Sequence, residues 1–303
     1  MRIGLVTDFY YPWIGGPATF IRNLGHGLSA RGHSVALLCP SADGGPRDEF
    51  DGPMRVRRAR SVSVPFGYQL RVSSSPLLDA SRWLDAVRPD VVHIHHTFPL
   101  SFAAAWLARR RGIPVVATNH TIPECSLWGL RSNPLVYAPV VAGLGRWITT
   151  VLQHCDAVTT PTETAAGLLL SMGYRGRVVP ISNGVDTSRF RPGLFPFQLA
   201  RRLGIDDRPV VLYTGRLDAE KQMDLWLRAA ALLVKSLEVQ FLVGGKGSER
   251  PRLEALSQEL GLSSRLHFFG YLSEDDYPLV YRLADAFCIT SEVELQSIAT
   301  LEA

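Results

Sequence analysis

Residues 1–190 contain no lysine: their 19 basic residues are all arginine, set against 12 acids for a charge of +7. Residues 191–303 carry 13 basic and 16 acidic residues, or −3, so the chain of 303 residues comes to +4. A basic half joined to an acidic half points to an anionic partner for one domain, with uneven composition the plainer alternative. Nucleic acid is set aside, because no zinc-finger, RNA-recognition or basic-aromatic signature accompanies the charge. Cysteine is scarce as well. Cys39, Cys125, Cys155 and Cys288 lie far apart and form no CxxC pair, which argues against a zinc ribbon or a disulfide framework and suits a reducing cytosol. No run of about 18 apolar residues stands out, which predicts that nothing spans a membrane. Met1–Asp8 reads as a buried strand, not as a signal peptide. The expected location is the cytoplasm, with a peripheral place on the inner face of the membrane through the basic half.

What is present is ordinary globular material, 46% hydrophobic and 20% charged, enough for two cores. Strand-like segments fall at Ile3–Thr7, Val35–Cys39, Val91–His95, Val115–Thr118, Ala157–Thr160 and Val178–Ile181. Helix-like segments lie between them at Thr19–Ala30, Leu77–Val87, Ser101–Arg110 and Pro139–His154. Continuous apolar strands alternating with helices predict an α/β chain with a mostly parallel sheet covered on both faces. Residues 182–209, rich in Gly, Pro and Arg, read as an inter-domain connection. A second series follows from Val210, giving a first domain over 1–181 and a second over 210–303. The second has strands at Val210–Thr214, Val239–Val243, Leu266–Phe268 and Ala286–Ile289, a first helix at Ala219–Lys235, and a last helix starting near Ser297. That helix meets Ala303 with no stop signal, which predicts that the second domain is incomplete.

Ligands of open α/β sheets bind beyond the carboxyl ends of the strands, and four such positions carry suggestive residues. In the loop Tyr10-Tyr11-Pro12-Trp13-Ile14-Gly15-Gly16-Pro17, Gly15 and Gly16 would let backbone amides approach an anion at a helix start, or simply make a turn. Arg216 leaves the strand Val210–Thr214 and Lys221 falls in the first helical turn. Together they make a diphosphate clamp, a helix start with acids Asp218 and Glu220 in its first turn, or both. Glu294 and Glu302 are separated by eight positions, about 12 Å of helix, which does not suit the paired carboxylates of a glycosidase. With a helix from Ser297, the amides of Gln296, Ser297 and Ile298 face outward as an anion-binding start, Glu294 sits in the loop and Glu302 on the helix. Two solvated acids are the bland alternative. His120, in Thr118-Asn119-His120-Thr121, is a polar contact, a proton handler or a structural histidine. His93, His95 and His96 do not make a metal site on their spacing, since His96 points away from the other two.

These positions, in this order, resemble the family 4 retaining glycosyltransferases of the GT-B fold. Ile181-Ser182-Asn183-Gly184-Val185-Asp186 with Phe190 and Pro192 is similar to the family's NGVD segment, and Thr214–Lys221 to its GRL…EK motif. Gly244-Gly245-Lys246-Gly247, Phe269-Gly270-Tyr271, Ala284-Asp285-Ala286 and the Glu294-x7-Glu302 pair fill the remaining motifs. The resemblance covers essentially the whole chain. It implies two Rossmann-like domains facing a cleft and retaining transfer of a hexose from a nucleotide sugar, with the acceptor attacking from the face the diphosphate leaves and no cofactor or bound metal. Residue by residue, it implies that Gly15, Gly16, Arg216 and Lys221 hold the donor diphosphate. Glu294 would take the sugar hydroxyls, Glu302 the ribose, the backbone at Tyr271 the base, and His120 a place beside the reacting sugar.

The usual GFGLP run after the first glutamate is replaced by Leu295-Gln296-Ser297-Ile298-Ala299, and the loss of glycine restricts that loop. Glu294-Leu295-Gln296-Ser297 resembles instead the Glu-Thr-Gln-Gly form of bacterial diacylglycerol glucosyltransferases. This favours UDP-glucose as donor and a lipid acceptor, with GDP-mannose and a phospholipid or soluble sugar acceptor as the alternative. Arg55, Arg57, Arg58, Arg60 and Arg109–Arg111 would then meet anionic headgroups. A GT-B epimerase or phosphorylase, and a non-catalytic nucleotide-sugar-binding module, remain as other classes. A nicotinamide dehydrogenase does not, since no GxGxxG follows the first strand.

Overall fold

Strands buried on both faces need apolar residues at every position, and the continuous runs supply them. In the computed structural model, which describes residues 1–13, 15–64, 71–127, 129 and 131–303, β1 (Arg2–Val6), β2 (Ser34–Pro40), β3 (Arg47–Asp51), β4 (Met54–Ala59), β7 (Val91–Ile94), β8 (Val115–Thr118), β9 (Ala157–Thr160) and β10 (Val178–Pro180) form one sheet. Its order is β10-β9-β8-β7-β1-β2-β4-β3, parallel throughout except for the antiparallel edge pair β3–β4. β5 (Ser61–Ser63) and β6 (Arg71–Ser73) make a separate two-stranded ribbon. Helices α1 (Gly16–Ala30), α2 (Pro76–Val87), α3 (Pro99–Arg110), α4 (Pro123–Ser126), α5 (Pro134–Leu152) and α6 (Glu163–Ser171) connect the strands. Ile3 and Leu5 pack with Ile21 and Met54 on one face of the sheet, and Val6 with Trp83, Leu84 and Leu100 on the other. The first compact unit is Met1–Asn183.

The second unit, Gly184–Ala303, contains α7 (Phe197–Leu203), β11 (Val210–Thr214), a 3₁₀ turn (Ala219–Lys221), α8 (Met223–Leu233), β12 (Gln240–Gly244), α9 (Arg250–Glu259), β13 (Leu266–Gly270), α10 (Tyr277–Tyr281), β14 (Ala286–Phe287) and α11 (Ile298–Glu302). Its parallel sheet has the order β13-β12-β11-β14. In both sheets the chain reverses direction of travel once, between β1 and β7 and between β11 and β14. Such switch points open a crevice at the carboxyl ends of the two strands.

Four features differ from the sequence reading. Met54–Ala59 is a sheet strand, because Met54 and Val56 reach the core while its arginines meet acids on β3. Arg57 pairs with Asp48 at 2.8 Å, Arg58 with Glu49 at 2.7 Å, and Arg55 with Asp48 at 3.7 Å. Residues 182–209 divide at Asn183/Gly184, and within them α7 buries Leu199 and Ala200 in the second core. Lys221 closes a 3₁₀ turn instead of opening an α-helix, because Gln222, at φ 49°, breaks the chain direction before α8. Finally, α5 is long and apolar enough to cross a membrane. Its Gly, Pro and Thr residues had obscured the run, whose one charge is Arg146. Its last two turns, through Ile148, Val151 and Leu152, are buried in the first core.

Candidate active site

The first unit gathers its polar groups after β1, β7 and β8. Asp8 is fully enclosed and accepts from the amides of Leu100 (3.0 Å) and Ser101 (3.3 Å) and from Ser101 Oγ (2.5 Å), capping α3 from outside its own chain segment. Burial outweighs those hydrogen bonds and pushes its carboxyl up to about 6. His96 Nδ1 lies 2.8 Å from Thr7 Oγ1, and its ring meets Phe9 edge-on. His93 Nε2 lies 2.7 Å from Thr118 Oγ1, which in turn contacts Thr159 Oγ1. His95 stacks between His93 and His120, with its Nδ1 3.4 Å from His120 Nε2. Burial lowers all four rings, His93 to about 4, His96 to about 3, and His95 and His120 well below the usual imidazole range. They are neutral at pH 7, so His120 offers a neutral donor or acceptor. Phe20 packs on His120 at 4.9 Å. His95 Nε2 and Asn119 Nδ2 are buried without a partner among the described residues.

The predicted glycine loop enters α1 with Gly15 as N-cap and Gly16 as first helical residue, and no side chain caps the helix. A Cβ on Gly15 would stand 2.6 Å from the Trp13 ring, so the loop tolerates only glycine while that ring stays. Ile14 lies outside the described residues. Among the described residues no three His, Cys, Asp or Glu side chains are placed to hold a metal ion.

In the second unit the loops after β11, β12 and β13 are stitched together by backbone hydrogen bonds from Gly215 to Gly244, Leu217 to Lys246, and Gly245 to Gly270. The approach is so close that a Cβ on Gly245 would lie 1.8 Å from the Gly215 carbonyl oxygen. Arg216 donates to Asp218 and to Glu220, both at 2.5 Å. Those acids are only 3% and 6% exposed, and Asp218 also accepts from the amide and hydroxyl of Ser248. Lys221 donates to Glu294 at 2.5 Å, joining the loop after β11 to the loop after β14 across the switch point. Thr290 Oγ1 fastens the same two loops by donating to the carbonyls of Lys221 and Gln222.

Glu302 stands apart from this pair. It accepts from Tyr277 (2.8 Å) and Tyr281 (2.7 Å), and Tyr281 also contacts Thr214 Oγ1 at 2.7 Å. Burial raises the Glu302 carboxyl above its ordinary range despite both phenols. Ser297 caps α11 by accepting from the Thr300 amide, which leaves Gln296, Ser297 and Ile298 at a helix start. Tyr271 is 48% exposed with the Lys246 ammonium 4.9 Å from its ring centre. The structure thus pairs Arg216 with Asp218 and Glu220 and, separately, Lys221 with Glu294, and seats Glu302 on a tyrosine pair. The tyrosines escaped sequence reasoning, although their i, i+4 spacing puts Tyr277 and Tyr281 on one helix face. Asp8 escaped it, and His95 and His96 were seen only as a rejected metal cluster, because their partners are distant in sequence.

Two families match the sequence, Glycosyltransferase Family 4 over residues 14–189 and Glycosyl transferases group 1 over residues 197–303. The chain is 29% identical over 311 residues to an alpha-monoglucosyldiacylglycerol synthase of Streptococcus pneumoniae, covering all of this chain and 68% of that protein. It is 28% identical over 263 residues to a GDP-mannose-dependent alpha-mannosyltransferase of Mycobacterium tuberculosis, covering 84% of this chain and 65% of that one. Among solved structures it is similar to sucrose-phosphate synthase from Thermosynechococcus elongatus, at a TM-score of 0.76 and 19% identity over 100% of this chain and 78% of that one. Two parallel-sheet α/β units with this likeness have the GT-B fold. The chain belongs to Glycosyltransferase Family 4 and is a glycosyltransferase.

Proposed function

We propose that the chain moves a hexose from a nucleotide sugar, UDP-glucose, to the hydroxyl of a membrane lipid such as diacylglycerol, with retention at the anomeric carbon. The observation that carries this reading is the loop after β11 at the switch point of the second unit, where Arg216, held by Asp218 and Glu220, and Lys221, paired with Glu294, offer two cations. A guanidinium has five N–H donors and an ammonium three, so each can keep its carboxylate and still bind phosphate oxygens. In the reaction the bond from the anomeric carbon to the diphosphate breaks and a bond to the acceptor oxygen forms. The acceptor proton passes to the departing phosphate oxygen. Charge grows on the diphosphate as it leaves, and pre-set cations stabilise that state more than the ground state. Glu294 is suited to the sugar hydroxyls and Glu302 to the ribose. Within the first unit, neutral His120 is suited to a polar contact with a sugar, and the backbone amides of the Gly15–Gly16 loop to an anion. No cofactor enters this reading, and the positive charge at the leaving group comes from Arg216 and Lys221.

The lipid acceptor and UDP-glucose are supported by the name of the Streptococcus pneumoniae relative and by Gln296 after Glu294. The Mycobacterium tuberculosis relative favours a second reading, mannosyl transfer from GDP-mannose. Thermal shift with UDP-glucose and with GDP-mannose separates the two, followed by transfer of labelled sugar to detergent-dispersed diacylglycerol. A shift and labelled lipid with UDP-glucose alone are expected, both lost in Arg216→Ala. A shift with GDP-mannose alone would replace the donor, and one with neither would overturn the donor assignment.

A further inference from the structure

The first eleven residues of α5, 134–144, read Pro-Leu-Val-Tyr-Ala-Pro-Val-Val-Ala-Gly-Leu and hold no charge, yet none of them is buried. Leu135 is 89% exposed, and Val136 and Val140 stand open beside it. Three turns of apolar helix in water are a surface with an unmet partner. The reason for the exposure lies in the connection. α5 leads from the carboxyl end of β8 to the start of β9, so its first turns begin at the carboxyl edge of the sheet, the edge that carries His95, His96 and His120. Trp147, just after these turns, ties the helix to that edge, its Nε1 donating to the carbonyl of Thr97 beyond β7 at 2.8 Å.

The same face continues through aromatic rings. Trp147 packs on Phe102 of α3, and one turn along α3 the exposed Trp106 carries the Arg110 guanidinium 4.4 Å from its ring centre. Neither α3 nor α5 contains an Asp or Glu, while Arg146 follows the apolar turns and Arg110 closes the strip. Of the other arginines expected to face anions, Arg60 is exposed and five are engaged elsewhere. Arg55, Arg57 and Arg58 pair with β3, Arg109 with Asp156, and Arg111 with Asp85.

We propose that the exposed turns of α5, with Trp147 and Arg146, are the element that docks this enzyme on an anionic lipid bilayer. Apolar side chains enter the boundary between headgroups and acyl chains, tryptophan sits at headgroup level, and arginine meets anionic lipid. The helix does not span. Its second half is committed to the core, and eleven residues reach about 16 Å where the hydrocarbon needs about 30 Å. The proposal deepens the lipid-acceptor reading, and rests on it for its purpose: docking brings the His120 edge to where a membrane acceptor is.

The test is co-sedimentation at low salt with vesicles of equal parts phosphatidylglycerol and phosphatidylcholine. It compares the unaltered protein with Leu135→Glu/Val140→Glu, whose changes lie on exposed helix and keep its thermal midpoint. Vesicle affinity should fall at least tenfold in the variant, while transfer to detergent-dispersed diacylglycerol stays at the unaltered level. If the variant is retained like the parent, or the parent is not retained at all, the docking proposal is wrong, whatever the transfer assay gives. Retention that depends on Leu135 and Val140 without transfer to diacylglycerol would keep the docking surface and sink the acceptor reading. A concentration-dependent dimer broken by the same variant, with no vesicle binding, would mean that a second copy covers this face. Quenching of tryptophan fluorescence by brominated lipid in the unaltered protein gives an independent readout: it is expected, and its absence overturns the proposal.

Discussion

Arg216 sits between two acids that are nearly out of water, and that arrangement gives it two separable roles. Asp218 and Glu220 fix the guanidinium in place, and it neutralises them. Truncating one partner of such a cluster leaves buried charge unpaired, which costs on the order of 3 kcal/mol. Arg216→Ala should therefore lose both stability, read by urea unfolding, and donor binding, read by calorimetry. Arg216→Ala/Asp218→Asn/Glu220→Gln removes the stranded charge. It should recover most of the stability and none of the donor affinity. If donor binding returned with stability, the arginine would be a structural post and the diphosphate would be held elsewhere. Arg216 and Lys221 were legible as a motif, but their acidic partners read only as a favourable helix start. The sequence shows that Asp218 and Glu220 are close to Arg216; it does not show that they are buried.

At the level of elements, the parallel strands were legible because burial on both faces demands unbroken apolar runs. The strand Met54–Ala59 was not, because Met-Arg-Val-Arg-Arg-Ala spends its alternate positions on arginine. Only the pairing with β3 reveals that those charges face acids and not an anionic ligand. The glycine-rich turn after β12 was visible as a motif without its cause. Gly245 has φ 129° and leaves no room for a Cβ beside the Gly215 carbonyl. Gly245→Ala must push the β11 and β12 loops apart, adding backbone strain to overpacking, each about 1–3 kcal/mol. Urea unfolding should show that loss, and donor affinity should fall more than tenfold because Arg216 leaves the same junction. Gly27→Ala is the control. In the middle of α1 with nothing within 4 Å, it should stabilise by about 0.5–1 kcal/mol. A silent Gly245→Ala would show that the two loops do not need their close approach.

Across the whole molecule burial holds ionisable groups against their preference in both units, His267 and Glu302 in the second and a cluster of four histidines with Asp8 in the first, and the first unit's cluster has the largest part in the response to acid. His93, His95, His96 and His120 are all depressed from 6.5 by burial, with mutual repulsion among the rings adding to it for His95 and His120. A histidine with a folded pKa below its unfolded value takes up its proton on unfolding. Its full contribution is therefore present above pH 6.5 and drains away as pH falls toward the folded value, about 4 for His93 and about 3 for His96. Asp8 works in the other direction. Raised from 3.8 to about 6, it contributes stability below 3.8 that is lost as pH rises through 6. Within the first unit four rings oppose one carboxyl between pH 6 and 4, and each group gains or loses about 1.4 kcal/mol for every pH unit over which its folded and unfolded forms differ by a full proton. The net loss on acidification should reach several kcal/mol, a large part of a total that is typically about 5–15 kcal/mol. Unfolding free energies from urea titrations at pH 7.5, 6 and 5 should fall steeply below 6.5, with more than one proton taken up per molecule unfolded. Asp8→Asn removes the opposing contribution and should make the fall steeper. A flat profile would mean that the rings are charged in the fold, and His120 could not then meet a sugar as a neutral group; a profile made shallower by Asp8→Asn would mean that the Asp8 carboxyl is not raised.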